Sequence, residues 1–201
     1  VDVLFGSVPN QGSVSAITVS NTVIRYLKSL WFDGNSGVNY TLGEASGEFR
    51  IGIGLPNDGR LVTVISNGTK VVETNINRPL VLDNTVWWRD LWITNNSRGG
   101  LRFGGNVWAG RQHLKISGSG ATHFAGGFLG SRGSISTVTS STPHLILSGS
   151  SINAQYPWTG ALNVGAETLV FVKRNGALGM GANNVASGGT LGFRTHVGWT
   201  L

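Results

Sequence analysis

The chain reads as an all-β rod, a β-solenoid whose short strands stack rung on rung. Three observations predict it. Apolar residues recur as pairs at i and i+2, which is one face of a strand. Successive pairs stand about ten residues apart with Gly, Asn or Ser between them, the spacing of short strands joined by turns. No stretch keeps an i, i+3, i+4, i+7 apolar pattern long enough for an amphipathic helix.

The elements follow in order. Val1, Val3 and Phe5 alternate with Asp2 and Leu4, and residues 6–12 read as a linker. Residues 1–12 are therefore expected to form an extended segment, and residues 13–201 a single solenoid domain. Residues 22–31 come nearest to a helical pattern, but their β-branched and aromatic side chains favour strand. The apolar pairs are Ile51/Ile53, Val62/Val64, Leu80/Leu82, Leu91/Ile93 and Leu101/Phe103. They continue at Leu114/Ile116, Leu145/Leu147, Leu162/Val164, Leu169/Phe171 and Leu191/Phe193. Asp58-Gly59 and Asn67-Gly68 suit hairpin turns, as in a β-sandwich or jelly roll. They equally suit solenoid corners that need positive φ. The close bounding of the pairs by turn residues favours the solenoid over the sandwich. Rungs of roughly 20–25 residues predict about eight to ten of them, a rod of roughly 40–50 Å.

Composition narrows the class. Gly is 31 of 201 residues, about twice the usual share of roughly 7%, without a three-residue period, which excludes collagen. There is no Cys, which excludes disulfide scaffolds, thiolate metal sites and Cys nucleophiles. No apolar run is long enough to span a membrane as a helix. Seven Trp and 40% hydrophobic residues argue against a disordered chain. A Ser/Thr/Asn/Gly-rich, Lys-poor, Cys-free chain suits the outside of a bacterial cell. The expected location is extracellular or cell-surface, with a signal peptide removed.

The last third carries a recognisable pattern. Tyr156-Pro-Trp-Thr-Gly160 is followed by Ala161-Leu-Asn-Val-Gly165 and Glu167-Thr-Leu-Val-Phe171. Gly176-Ala-Leu-Gly-Met-Gly181 and Val185-Ala-Ser-Gly-Gly-Thr-Leu-Gly-Phe193 complete it. Residues 156–193 thus resemble the passenger-associated transport repeat of autotransporters. Leu30-Trp-Phe-Asp-Gly34 with Tyr40-Thr-Leu42, and Gly99-Gly-Leu-Arg-Phe-Gly104, look like further rungs of that kind. The resemblance implies a right-handed parallel β-helix exported to the cell surface. It carries no catalytic residues to transfer. One good copy of the repeat is present, and no membrane-barrel pattern follows it. Independently of the family, Gly188-Gly189 suits a tight corner that turns Leu191 and Phe193 into the rod.

The chain carries few candidates for chemistry. The nearest acidic couple, Glu44 and Glu48, would lie about 13 Å apart on an extended strand, too far for either glycosidase geometry. His113, His123, His144 and His196 lack ligand spacing, and no nucleophile elbow or phosphate loop is present. Gly130-Ser-Arg-Gly133 reads as a solvated turn or an anion nest. No catalytic, metal or cofactor site is assigned.

Two surface features remain. In residues 85–93, a continuous strand puts Trp88, Asp90 and Trp92 on one face and Trp87, Arg89, Leu91 and Ile93 on the other. With Leu91 and Ile93 inward, Trp88 and Trp92 would flank a carboxylate as a platform for a sugar or a neighbouring subunit, unless a loop covers them. Arg89 is then a misfit that needs a rod end, a bulge or a snorkelling path. Trp31, Trp108, Trp158 and Trp199 are expected to be structural. Arg98, Arg102, Arg111, Lys115 and Arg132 fall where no acidic residue intervenes between Asp90 and Glu167. They predict either a solvated face or a polyanion face for acidic polysaccharide, with no motif for specific nucleic-acid recognition.

The expected function is a non-enzymatic structural module, a surface rod or a head-to-tail filament. In the filament, the strand carrying Val1, Val3 and Phe5 would be donated to the next copy. A glycan-binding adhesin is the alternative, and a polysaccharide-degrading enzyme ranks last.

Overall fold

The computed structural model describes residues 2–6, 16–19, 25–43, 47–65, 73–82, 88–130, 132–138, 144–151, 155–174 and 176–194. They form three parallel sheets that share one core. The first sheet comprises Asp2–Phe5, Ser29–Asp33, Gly59–Ile65, Asp90–Asn95, His113–Ser117, Ser134–Thr137, Ala161–Val164 and Asn183–Val185. The second comprises Ala16–Val19, Asn39–Leu42, Thr74–Ile76, Leu101–Phe103, Thr122–Phe124, His144–Leu147, Leu169–Val172 and Thr190–Phe193. The third comprises Arg25–Leu27, Phe49–Ile51, Leu80–Leu82, Val107–Trp108 and Phe128–Leu129. The chain visits the sheets in turn, and each strand pairs with its counterparts in the rungs before and after.

This is a β-solenoid. Every pairing is parallel, from Asp2↔Ser29 in the first rung to Val172↔Phe193 in the last, which excludes the hairpin-built sandwich. The only helical element among the described residues is a single 3-10 turn, Gly34–Ser36, capped by Asp33, whose carboxylate accepts from the Asn35 amide at 2.9 Å. No helix is long and apolar enough to cross a membrane. Two sheets are eight strands deep, a stack of about 34 Å at ~4.8 Å per step. Eight strands match the lower end of the expected rung count, and the rungs are unequal in length. Asn163 and Asn184 are 21 residues apart, but Leu30 pairs with Val62. The longer rungs place extra chain at the corners instead of adding strands.

Inward side chains form columns along the rod, since residues in register on adjacent rungs point the same way. In the second sheet Leu42, Ile76, Phe103, Phe124, Leu147 and Val172 make one buried column, with Phe103 and Phe124 stacked at 4.7 Å. In the first sheet Leu30, Val62, Ile93 and Ile116 make another. Each such side chain contributes about 1.5–3 kcal/mol on burial, which lets strands of three or four residues persist. The third sheet ends at Phe128–Leu129, and buried Trp158 then takes over its inner side, 5.5 Å from the Phe128 ring.

Two apolar pairs differ from expectation. Val170 and Val172 face the core instead of Leu169 and Phe171, because Val170 stacks on Leu145 and Val172 on Leu147. Phe171 is consequently 37% exposed on the outer face. Ile53 lies in a turn after its strand and is exposed. The Gly188 corner is present with φ +79, and Leu191 and Phe193 continue the Val170 and Val172 columns. Phe193 is nonetheless half exposed, because no further described rung covers it.

Candidate functional site

The outer face of the first sheet gathers the aromatic and charged residues of the middle rungs. Leu91 and Ile93 fill the core, so Asp90 and Trp92 project outward, as the alternation requires. Trp88 does not share their strand. It sits at the preceding corner with φ +63 and is 48% exposed. Arg89 is the hinge of this corner. Its buried guanidinium donates to the Leu55 carbonyl, and its amide donates to Gln112 Oε1 at 3.0 Å. A buried cation needs such acceptors, which explains how the misfit is accommodated before the strand begins.

The expected indole platform is therefore divided. Trp92 stands in register between Arg60 and Lys115 on the adjacent rungs. Arg60 lies 5.2 Å and Lys115 5.6 Å from its ring centroid, so cations flank the indole. Its Nε1 donates to Asp58 Oδ1 at 3.4 Å, and Lys115 pairs with Asp90 at 2.6 Å. Trp92 is thus a tie between rungs. Trp88 is the open indole, with one neighbouring ring, His113, at 5.5 Å. Beside this patch lies an open groove of about 510 Å³ lined by Asp2, Lys28, Trp31, Pro56, Asp58 and Arg60.

Asp90, His113 and Ser134 occupy the same position on three successive rungs, and His113 Nδ1 lies 2.7 Å from Ser134 Oγ. The order resembles acid, base and hydroxyl. A second His–Ser pair, His123 Nε2 to Ser148 Oγ at 2.6 Å, bridges adjacent rungs of the second sheet through the other ring nitrogen. With Asp90 engaged by Lys115, both pairs read as rung-to-rung hydrogen bonds. Glu48 binds Arg50 at 2.8 Å, and Glu44 lies outside the described residues, as do Trp87, His196 and Trp199. Among the described residues no group of three or more His, Asp or Glu could hold a metal ion. Trp158 is core, while Trp31 and Trp108 are half-buried on outer faces.

The five basic residues expected on one face are dispersed around the rod. Lys115 faces outward from the first sheet and Arg102 from the second. Arg98 lies at the corner between those sheets, and Arg111 and Arg132 lie at the corner between the third and first. Distance in sequence does not translate into one face, because each rung passes through three sheets. Ser131, within the suggested anion nest, lies outside the described residues.

Another set comes together instead. Asn77, Gly104, Lys173 and Arg194 each follow a second-sheet strand by one residue and donate their amides to the rung before. The Arg102 guanidinium leans over Gly104 and donates to Asn77 Oδ1 at 3.1 Å. His123 follows Arg102 in register, and burial first, then the Arg102 and Lys173 charges, pushes its imidazole below the ordinary value. Composition along the chain did not reveal this set. Alignment by the rung repeat, Arg102 with His123, was the signal that could have found it.

Val3 and Phe5 pack in the first rung of their own chain, where Val3 pairs with Leu30 and Phe5 stacks on Phe32 at 4.9 Å. In this single chain the strand pairs with the second rung of its own first sheet; Val1 lies outside the described residues. No protein-family model, curated protein or solved structure matches this chain. The likeness to the autotransporter repeat therefore rests on its residues alone.

Proposed function

We propose that this chain is a non-enzymatic structural module of the bacterial cell surface, a β-solenoid rod that stacks end to end with further copies of itself. The observation that supports the reading is the last described rung. Asn183–Val185 and Thr190–Phe193 have a strand partner on one side only among the described residues. Val185 and Phe193 there are about half exposed. A parallel edge with apolar side chains is a template for another rung. The first rung offers the matching surface, with Val3 and Phe5 heading the first sheet's inner columns and Ile17 and Val19 the second sheet's. Stacking of rung upon rung is heterologous and does not close, so it gives a filament.

Negative-stain electron microscopy of the purified chain tests this, with Phe193→Asp and a deletion of residues 1–12 alongside. Filaments in the parent and short rods in both variants are expected, with circular dichroism checking that the variants fold. Dispersed rods in all samples refute assembly. A second reading, a glycan-binding adhesin, is favoured by the open Trp88 indole beside Asp90 and His113.

A further inference from the structure

We propose that the second sheet carries a docking stripe for a linear acidic polysaccharide, formed by Arg78, Arg102, His123, Lys173, Arg174 and Arg194. The inference rests on the adhesive reading and gives it a surface other than the Trp88 patch. Three observations carry it.

The first is convergence. Arg102 and His123 occupy the outward centre of the sheet, Lys173 and Arg194 follow the strand ends, and exposed Arg174 comes next after Lys173. Arg102 reaches from the centre to that edge across Gly104, where an added Cβ would lie 2.7 Å from its Nη1. Arg78 lies one residue further and folds over Gly43 of the neighbouring rung. The stripe runs from the third rung to the eighth, roughly 24 Å along the axis.

The second is availability. None of the six makes an ion pair among the described residues, whereas Lys28, Arg50 and Lys115 elsewhere are paired with carboxylates. Among the described residues, the carboxylates attached to this sheet, Glu73 and Glu167, precede their strands and so sit at its opposite edge. Glu167 and Lys173 are separated by about 20 Å of extended chain. Unpaired like charges held on adjacent rungs are a focused positive field.

The third is spacing. Permanent cations stand on the third, fourth, seventh and eighth rungs with His123 on the fifth, at intervals of whole ~4.8 Å steps, so a polymer with one anionic group per sugar ring can meet two adjacent pairs of them. Each strand of DNA presents a phosphate about every 3.4 Å, and single-strand binders interleave several stacking aromatics. Here the outward row offers only Phe171, while Asn77 and Ser148 supply neutral groups for hydroxyls.

The test is binding of the purified chain to immobilised polygalacturonate, heparin, neutral dextran and a thirty-residue oligo-dT. One variant carries Arg102→Gln, Lys173→Gln and Arg174→Gln. A charge-matched control carries Arg25→Gln, Arg98→Gln and Arg132→Gln on other faces. The expected result is a loss of about tenfold or more in polygalacturonate affinity for the stripe variant, little change in the control, and equal thermal midpoints. Equal loss in both variants overturns the stripe and assigns binding to net charge. Binding that survives the stripe variant overturns the stripe and leaves the adhesive reading to another face. Dextran binding without polyanion binding does the same. Tighter binding to oligo-dT, lost in the stripe variant, overturns the polysaccharide as occupant in favour of nucleic acid.

Discussion

Replacing Gly126 by Ala should destabilise the rod through one contact. An added Cβ would stand 2.0 Å from the Gly105 carbonyl oxygen, 2.3 Å from its carbon and 2.7 Å from the Asn106 nitrogen. Ordinary contact begins near 3.4 Å, so the peptide of the adjacent rung must retreat by about 1.4 Å. All three atoms are backbone and cannot rotate away. The column continues on both sides, since a Cβ at Gly105 would meet the Arg78 carbonyl carbon at 2.2 Å and one at Gly149 would meet the Gly126 carbonyl at 2.1 Å. Overpacking of this kind costs about 1–3 kcal/mol, against a gain of about 0.4–1 kcal/mol from stiffening the unfolded chain. Because neighbouring rungs must move together, a net loss of about 2 kcal/mol is expected. At about 2–4 °C per kcal/mol for this size, the midpoint should fall by roughly 4–8 °C. Gly100→Ala is the control, with nothing within 4 Å of its added Cβ. Thermal unfolding followed by circular dichroism reads both. Equal midpoints for the two variants would refute the claim that the corners require glycine for backbone-on-backbone stacking.

Two further outcomes follow from the outer faces. His123 has a folded-state value below its unfolded 6.5, chiefly through burial. Its contribution is therefore fully present above pH 6.5 and is lost as pH falls through the folded value. The midpoint of the parent should drop more than that of His123→Gln between pH 7 and pH 5; parallel curves would sink this. On a glycan array, any signal from the first-sheet patch should disappear in Trp88→Ala and persist in Trp92→Ala, provided that both fold. The reverse pattern would make Trp92 the platform despite its flanking cations.

The solenoid was legible in the sequence because inward side chains alternate within strands too short for anything but stacking. Leu91 with Ile93 and Leu101 with Phe103 record that alternation directly, and the Gly188 corner records the turn chemistry. Register was less legible. Residues 169–172 are apolar throughout, so alternation alone cannot choose a face, and stacking of Val170 on Leu145 makes the choice. The surface depended most on tertiary structure. Trp88 and Trp92 fit one strand on paper, but the burial of Arg89 against Leu55 starts the strand one residue after it. The five basic residues of the middle third are close in sequence and dispersed in space. Arg102 and Lys173 are far apart in sequence, and both act on His123. Local sequence determines which way each side chain points within its rung. Rung lengths and parallel register determine which side chains become neighbours, because in a solenoid the nearest contacts of every residue lie one full turn away along the chain.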